Sequence, residues 1–492
     1  MYYISTRDGS EKKTSALVIK QGLAEDGGLF VPESIPTVSK DFIKKLAEED
    51  YAHRAADVLS LYLTDYTYDE LLSAATDAYK EESFGKYAAP VKSLDKTHKV
   101  LELWHGPTCA FKDMALQIMP RLLSTALKKT GEKRTALILV ATSGDTGKAA
   151  LEGYKDVDGV KIMVFYPEDG VSDIQKLQMA SQEGENVNVC AIKGNFDDAQ
   201  TGVKQIFSDT NIAKELDEKG YFLSSANSIN WGRLAPQIVY YFSAYCDLMN
   251  AGDITLGDEI DVCVPTGNFG NIFAAYLAKR MGLPVRRFIC ASNVNNVLTD
   301  FINTGIYDRN RQFHTTISPS MDILISSNLE RLLWLIQGKE KTAECMKLLK
   351  ETGKYEVSAE VREKIASEFI GCFASDDETK QTIAETFEKH SYLIDTHTAV
   401  ALFAAKKNAT DIPVVTASTA SPYKFAADVL SALTGNRDNG NDFFRILREL
   451  NAKTGAAVPR PLAALENKTR RFTTSVGKSK DEMFAEVAKF AD

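Results

Sequence analysis

The sequence predicts an α/β protein with doubly wound parallel sheets and a mainly helical N-terminal region. Short apolar runs rich in Val, Ile and Leu recur along the chain, and each is followed by a glycine-containing loop and a helical pattern. Near-continuous apolar strands that alternate with helices are typical of parallel sheets covered on both faces. The class is therefore α/β, with ligands expected where strands end and helices begin.

The predicted strands lie along most of the chain and include residues 99–104, 135–141, 160–166, 186–192, 260–265, 286–292 and 412–418. Two regions interrupt this alternation. Residues 1–95 are mostly helical and polar, and residues 328–392 have the pattern of consecutive helices. We therefore expect an N-terminal domain (1–95), a small α/β subdomain (136–194), and a large domain (96–135 and 195–492) that includes a helical excursion near 328–392.

Composition limits the function classes. The net charge of −9 argues against a nucleic-acid-binding surface, which requires a basic excess. Seven dispersed cysteines, with no CxxC pair and no metal-ligand spacing, indicate reduced thiols and no metal site. The start of the sequence lacks signal and transit patterns, and no apolar run approaches the roughly 20 residues that span a bilayer. We expect a cytoplasmic protein without a membrane partner.

The loop VPTGNFGN follows one predicted strand and precedes a helix. Its segment Gly267, Asn268, Phe269, Gly270 and Asn271 can turn its backbone N–H groups together at the helix N-terminus, which suits a phosphate. Glycines are also common in ordinary strand-to-helix loops, so that alternative stays open. The dinucleotide fingerprint GxGxxG is absent.

A second loop, ATSGDTGKAALEGY, resembles a nucleotide-binding P-loop but fails its spacing, and Ala149 stands where Ser or Thr is required. What remains is a set of hydroxyls, Thr142, Ser143 and Thr146, at the start of a helix. They favour a bound carboxylate or phosphate. The alternative is that they only cap the helix.

A third loop, VVTASTASPYKF, places Thr419 at the end of a strand, where it could also be an ordinary N-cap. The stretch HGPTCAFKDMALQ places Lys112 behind a stiff Gly-Pro turn, between Phe111 and Met114. Apolar neighbours lower the pKa of a lysine and make its amine a nucleophile. A phosphate cradle, a reactive lysine and a strand-end hydroxyl together predict a pocket for pyridoxal 5'-phosphate (PLP) held as a Schiff base.

HGPTCAFKDMALQ, ATSGDTGKAALEG, NSINWGR, VPTGNFGNI and STASPYKF, in this order, resemble the threonine synthase family. IKGNFDDAQ, DTHTAVA and VPRPLAALENKTRRF extend the resemblance over nearly the whole chain. The length is similar to that of the longer bacterial and fungal subgroup. The resemblance implies the PLP fold type II of tryptophan synthase β. It also implies that O-phospho-L-homoserine and water become L-threonine and phosphate. We expect a small-molecule enzyme that is a monomer or homodimer.

The resemblance also implies roles for individual residues. Lys112 would carry the cofactor and act as the acid and base, residues 267–271 would hold the cofactor phosphate, and Thr419 would meet the ring nitrogen. The residues expected to bind substrate are Thr142, Ser143, Thr146, Asn227, Arg233 and Lys424.

The chain departs from the family pattern where Ser421 and Tyr423 replace the usual histidine and alanine, and Asp145 stands where related enzymes often carry asparagine. His105 and His397 are expected to have structural roles. Rival interpretations are another fold type II lyase, such as a serine/threonine dehydratase or a phospho-amino-acid lyase, a nucleotide-binding ATPase or kinase, and a catalytically silent binding protein.

Overall fold

The computed structural model describes residues 1–142, 144–168, 171–436 and 442–492. Its strands are β1 (Tyr3–Ser5), β2 (Phe30–Pro32), β3 (Val91–Ser93), β4 (His98–Glu102), β5 (Thr135–Ala141), β6 (Val160–Pro167), β7 (Val187–Ile192), β8 (Tyr221–Ser224), β9 (Ile260–Pro265), β10 (Val285–Ser292), β11 (Ile306–Asp308), β12 (Lys354–Glu356), β13 (Phe369–Phe373), β14 (Val414–Ser418) and β15 (Ser475–Val476).

The helices are α1 (Ser15–Gln21), α2 (Lys40–Ala47), α3 (Tyr51–Ser60), α4 (Tyr68–Ala78), α5 (Glu81–Phe84), α6 (Asp113–Leu116), α7 (Met119–Lys129), α8 (Asp145–Tyr154), α9 (Asp173–Ala180), α10 (Phe196–Ser208), α11 (Thr210–Glu218), α12 (Trp231–Asn250), α13 (Gly270–Met281), α14 (Val297–Thr304), α15 (Leu329–Thr352), α16 (Ala359–Glu368), α17 (Asp376–His390), α18 (Thr396–Lys407), α19 (Ala426–Thr434), α20 (Phe443–Thr454), α21 (Arg460–Ala463) and α22 (Lys480–Ala491).

Two sheets carry the fold. Among the described residues, the larger sheet has the order β13-β10-β9-β14-β4-β3, and all its pairs are parallel except β4 with β3. The smaller sheet has the order β15-β7-β6-β5-β8 and is parallel throughout. Parallel strands end at one edge of their sheet, so the loops after β4, β9 and β14 are neighbours.

The predicted strands are confirmed. Residues 135–141 and 260–265 match β5 and β9 without a shift, and the other five runs match within three residues at each end. The α/β class with parallel sheets and flanking helices is likewise confirmed. These strands could be predicted because they are buried on both faces, which makes each of them a nearly continuous apolar run in the sequence.

Short strands were missed. The segment 328–392, expected to be helical throughout, also contains β12 and β13, and β13 pairs with β10 at the edge of the larger sheet. The smaller sheet takes β8 and β15 from outside residues 136–194. Runs of two to four residues carry too little pattern to be separated from a helix or a loop, and the five-residue β13 follows α16 without a connecting loop. The division into three domains stays a prediction.

The N-terminal helices pack on the long helix α12, which is buried along nearly all its length. Residues of α1, α3 and α4 belong to the same hydrophobic cluster as β4, β9 and α12. The seven cysteines are buried and free. In the described ranges, no helix combines the length and apolar character needed to cross a bilayer, and no group of His, Cys, Asp and Glu is suited to hold a metal ion.

Helices α6 and α8 touch at Gly153. A Cβ atom at this position would lie 1.8 Å from the carbonyl oxygen of Leu116, so the contact requires glycine. The contact matters for the geometry of the fold because α6 and α8 begin beside Lys112 and at Asp145, respectively.

We predict that Gly153→Ala lowers the free energy of unfolding by about 3 kcal/mol, because the added methyl group must displace the backbone of Leu116. This overpacking cost exceeds the gain in helix propensity from glycine to alanine. Urea denaturation measures the change. Gly232→Ala is the matched control, since its nearest neighbours are side-chain atoms at 3.3–3.4 Å. Equal stability of the two variants would contradict the close contact.

Candidate active site

The turn before Lys112 is closed by Asp113. Its carboxylate is fully buried and accepts hydrogen bonds from the backbone N–H of Thr108 at 2.8 Å and from the Thr108 hydroxyl at 2.7 Å. A Cβ atom at Gly106 would lie 2.5 Å from the Asp113 side chain, so only glycine fits. Burial raises the pKa of Asp113 to about 6. This clasp explains the stiff Gly-Pro entrance to the helix.

The Lys112 turn is bonded to the loop that carries Thr419. The N–H of Phe111 donates to the carbonyl of Thr419 at 2.8 Å, and the N–H of Ser421 donates to the carbonyl of Cys109 at 3.0 Å. Cys109 adopts a left-handed conformation with φ 58° to make this approach. Because β4 and β14 are also paired in parallel, Lys112 and Thr419 lie side by side at the strand ends.

Three charged side chains meet at this point. The Nζ of Lys424 lies 2.6 Å from Oδ1 of Asp145, and the Nζ of Lys112 lies 3.9 Å from its Oδ2. Lys424 also donates to the carbonyl of Thr108 at 3.0 Å, and the Gln175 amide donates to Asp145 at 3.0 Å. Asp145 belongs to the smaller-sheet side and Lys424 to the larger, so this ion pair joins the two sheets.

Burial sets the electrostatics of the lysine. It lowers the pKa of Lys112, and the charges of Lys424 and Arg233 lower it further while Asp145 opposes the shift. For Asp145, burial alone would raise the pKa, but Lys424 and Lys112 outweigh burial and hold the pKa below its usual range. Asp145 is therefore ionised, and the lowered pKa of Lys112 favours the neutral, nucleophilic form of its amine.

Of the hydroxyl residues expected to meet substrate, Thr142 precedes α8 and Thr146 lies in its first turn. The Thr142 hydroxyl accepts the N–H groups of Gly144 and Gly147, each at 3.0 Å, so it caps the helix. Thr146 is half-buried one residue beyond Asp145. Ser143 lies outside the described residues. The capping alternative thus describes Thr142, whereas Thr146 remains beside the charged cluster.

The loop Gly267–Asn271 forms a tight turn at the start of α13. Phe269 has a left-handed φ of 63°, and α13 begins at Gly270. A Cβ atom at Gly267 would lie 2.9 Å from the carbonyl oxygen of Ser320, so the neighbouring loop requires glycine there. The first N–H groups of a helix have no intrahelical acceptor, and they make this turn a candidate anion site.

Arg233 is a further buried cation. One guanidinium nitrogen donates to the carbonyl of Ala226 at 2.6 Å, and burial lowers the pKa of Arg233 to about 10. Its Nε has no hydrogen-bond partner among the described residues. Asn227 is exposed, and its side-chain oxygen accepts from Ser228 at 3.3 Å. The charge of Arg233 therefore acts on Lys112, whereas no contact joins Asn227 to Lys112, Asp145 or Lys424 within the described part of the chain.

The remaining residues named from the sequence have identifiable partners. His105 contacts the carboxylate of Glu102 at 2.7 Å. His397 accepts the backbone N–H of Ser320 at 3.1 Å, next to the Gly267 turn. Ser421 caps the turn Pro422–Phe425, and the Tyr423 hydroxyl donates to the carbonyl of Ala456.

Three features were missed from the sequence. They are the Asp113 clasp, the Gln175 amide on Asp145, and the hydroxyls of Tyr240 and Tyr241 that both donate to Oδ1 of Asn271. Only the clasp has a local sequence signal, because Thr108 precedes Asp113 by five residues behind a Gly-Pro turn. The other pairs are about 30 residues apart in the chain.

Family models match almost the entire chain. The model described as "Threonine synthase N terminus" matches residues 2–79, "Pyridoxal-phosphate dependent enzyme" matches 100–416, and "Threonine synthase, C-terminal" matches 398–484. The chain belongs to the threonine synthase family. The PLP-enzyme model contains Lys112, Asp145 and the Gly267–Asn271 turn, whereas Thr419 and Lys424 lie in the C-terminal threonine synthase model.

Curated relatives carry two names. The chain is 40% identical to threonine synthase of Pseudomonas aeruginosa, with 88% of this chain and 91% of that protein covered. It is 42% identical to threonine synthase-like 1 of Homo sapiens, again over 88% of this chain. The aligned part spans 60% of the length of that human relative.

Solved threonine synthases share the whole fold. The PLP-bound enzyme from Brucella melitensis has a TM-score of 0.89 at 36% identity and covers 100% of this chain and 99% of its own. The yeast enzyme has the same TM-score at 32% identity, with 99% and 98% covered. The expected PLP fold type II architecture is therefore confirmed.

The ion pair that joins the sheets gives a testable consequence. Asp145→Asn leaves the buried Lys424 without its counter-charge, and we predict a loss of about 3 kcal/mol in the free energy of unfolding. Lys424→Met should lower the free energy of unfolding by a smaller amount. The loss in the double variant should be smaller, by at least about 1 kcal/mol, than the sum of the losses in the two single variants. Urea denaturation of the ligand-free protein measures all three.

Glu360→Gln is the control, because it removes an exposed ion pair with Lys364 and should change stability little. Additive effects of the Asp145 and Lys424 substitutions would contradict the pairing.

Proposed function

We propose that the protein is a PLP-dependent threonine synthase, a lyase that converts O-phospho-L-homoserine and water to L-threonine and phosphate at the end of threonine biosynthesis. One observation carries the proposal. In a chain of this family, the half-buried amine of Lys112 lies beside Asp145, which is paired with Lys424, at the edge where the cradle turn and Thr419 also lie. Anions and a carbonyl cofactor suit this set of groups.

The residues fit PLP. Lys112 would supply the amine for the covalent link, and its lowered pKa favours the neutral form. The N–H groups of residues 267–271 would supply the phosphate site, and the Thr419 hydroxyl would meet the ring nitrogen. When bound, PLP supplies an electron sink for the negative charge left when a proton leaves Cα of the substrate. A hydroxyl partner, unlike a carboxylate, does not keep the ring nitrogen protonated, and this favours elimination over transamination.

Lys112 is the group that moves protons. Because its pKa is lowered, the free amine can take a proton from Cα of the substrate, and it can take one from Cβ after it has released the first. The pocket is shielded from water by burial, which strengthens the influence of Asp145 on this amine. Asp145 stabilises the protonated form of Lys112 after each transfer.

Arg233 and Lys424 would bind the phosphate of the substrate. The Nε of Arg233 is buried and unpartnered, and an arginine fork suits a phosphate dianion. Lys424 adds a second charge but is paired with Asp145, so the phosphate competes with that carboxylate for its ammonium group. Thr146, in the first turn of α8, would meet the substrate carboxylate, and the Thr142 hydroxyl holds the start of the same helix through Gly144 and Gly147. Thr142 and Ser143 are proposed as substrate residues from the family resemblance. Asn227 is proposed as a substrate residue only because the chain resembles the threonine synthase family.

Further proposals rest on the family and on composition. We place the protein in the cytoplasm, as a monomer or homodimer, with no nucleic-acid or membrane partner. We also propose a domain boundary near residue 95, which is supported by the gap between the family model that stops at residue 79 and the next, which begins at residue 100.

The reaction itself is testable by its products. Incubated with PLP and O-phospho-L-homoserine, the purified protein should release phosphate and form L-threonine in equal amounts. Enzymatic phosphate detection and amino-acid chromatography measure the two. Formation of 2-oxobutyrate, or phosphate release without threonine, would favour another fold type II lyase.

Lys112→Ala should lower turnover by roughly 1,000-fold or more, because both the covalent link and the acid–base group are removed. The matched control is Lys99→Met. Lys99 is a buried lysine on β4 that is paired with Asp253. This variant should keep the turnover of the unmodified protein. Full turnover by Lys112→Ala would exclude the proposed role.

Arg233→Met should raise KM for O-phospho-L-homoserine by roughly 10- to 100-fold, since hydrogen bonds to charged groups contribute this much to affinity. The inhibition constant of inorganic phosphate should rise in parallel, because phosphate uses the same group. Arg54→Met, at a buried arginine paired with Asp247, is the control. An unchanged KM in Arg233→Met, with unchanged phosphate inhibition, would remove Arg233 from the substrate site.

A further inference from the structure

Asn328 lies behind the cradle turn, immediately before α15. It is fully buried, and both its backbone N–H and its side-chain amide donate to the carbonyl of Asn268, at 3.0 and 3.1 Å. The same amide group is 3.4 Å from the carbonyl of Ser228. A neighbouring bond, from the Ser326 hydroxyl to the carbonyl of Gly267 at 2.7 Å, acts in the same way. These donors hold the carbonyls of the turn on the side away from the helix start.

Arg331, one turn further along, is fully buried as well. Its guanidinium donates to the carbonyl of Phe30 at 2.9 Å, to the carbonyl of Ile229 at 2.6 Å, and to the side-chain oxygen of Asn328. Its three acceptors are uncharged, and burial lowers the pKa of Arg331 to about 9. The adjacent carboxylate, Glu330, is held by Arg7 at 3.0 Å.

A guanidinium inserted among neutral oxygens is expensive to bury, and an apolar residue of similar volume would pack at lower cost. The fork nevertheless joins three segments that are distant in sequence: the N-terminal region at Phe30, the segment before Arg233 at Ile229, and Asn328. By fixing the oxygen of the Asn328 amide, Arg331 leaves the NH₂ group facing Asn268 and Ser228. The contact between Arg331 and the Asn328 oxygen therefore orients the Asn328 NH₂ group as a hydrogen-bond donor to Asn268.

We propose that Asn328 and Arg331 are positioning residues for the cofactor phosphate. Arg331 orients the Asn328 amide, and Asn328 holds the Asn268 carbonyl outward so that the N–H groups of residues 268–271 face the anion. Through Ile229, Arg331 also ties the segment that carries Arg233 to this turn, so the cofactor and substrate phosphates share one support. The proposal rests on the PLP-binding function proposed above.

The test is the affinity of the cofactor-free protein for PLP, measured by equilibrium dialysis. Asn328→Ala should raise the Kd for PLP by roughly 10-fold or more, because the outward carbonyl loses its buried donor. Arg331→Met should have a similar effect. If Arg331 acts through Asn328, the Kd of the double variant for PLP should be no higher than the higher of the two single-variant Kd values.

Asn186→Ala is the matched control, because the Asn186 amide also donates to backbone carbonyls, those of Tyr154 and Val160, but at the amino end of β7. It should leave the Kd for PLP unchanged. The ³¹P resonance of bound PLP should shift in Asn328→Ala and stay in place in Asn186→Ala, a difference that a general loss of stability would not produce.

Asn328→Asp covers the case in which Arg331→Met does not fold, since it keeps the acceptor for Arg331 and removes the donor. It should weaken PLP binding at least as much as Asn328→Ala. A Kd within twofold of the unmodified protein in both Asn328 variants would overturn the inference, as would additive effects of the Asn328 and Arg331 changes. If the unmodified protein itself does not bind PLP, the proposed function fails and this inference with it.

Discussion

The ion pair between Asp145 and Lys424 is the interaction on which the arrangement of the site depends. Asp145 starts the helix after β5 of the smaller sheet, and Lys424 follows β14 of the larger sheet, so their 2.6 Å contact sets how the two sheets meet. Lys112 lies beside the same carboxylate, and its amine has a depressed pKa because it is buried near further cations. Two buried lysines with one shared carboxylate, and Arg233 nearby, make an environment that attracts anions.

Much of this arrangement was predictable from the sequence. The central strands are continuous apolar runs, and the site loops follow them, so both the fold class and the positions of Lys112, Gly267 and Thr419 could be inferred. Strands such as β13 and β15 could not, because so few residues show no periodicity. The Asp145–Lys424 pair is invisible in sequence, since it joins residues 279 positions apart whose pairing depends on how the sheets meet.

The roles of some loop residues depend on contacts that the sequence does not show. The sequence left Thr142 between capping and ligand binding, and its two backbone partners identify it as a cap. Likewise, Gly106 and Gly267 are required by close approaches of Asp113 and Ser320 rather than by flexibility alone. The loops that would meet PLP are therefore held from behind by buried contacts, which keeps their N–H groups and the Lys112 amine oriented before a ligand arrives.

The central claim is that the amine of Lys112 is the attachment point of PLP. Borohydride reduction of the protein loaded with PLP, followed by digestion and mass spectrometry, tests this claim directly. We expect one modified peptide, with the reduced cofactor on Lys112 and none on Lys424. Attachment at Lys424 or at another lysine, or no covalent attachment at all, would contradict the account.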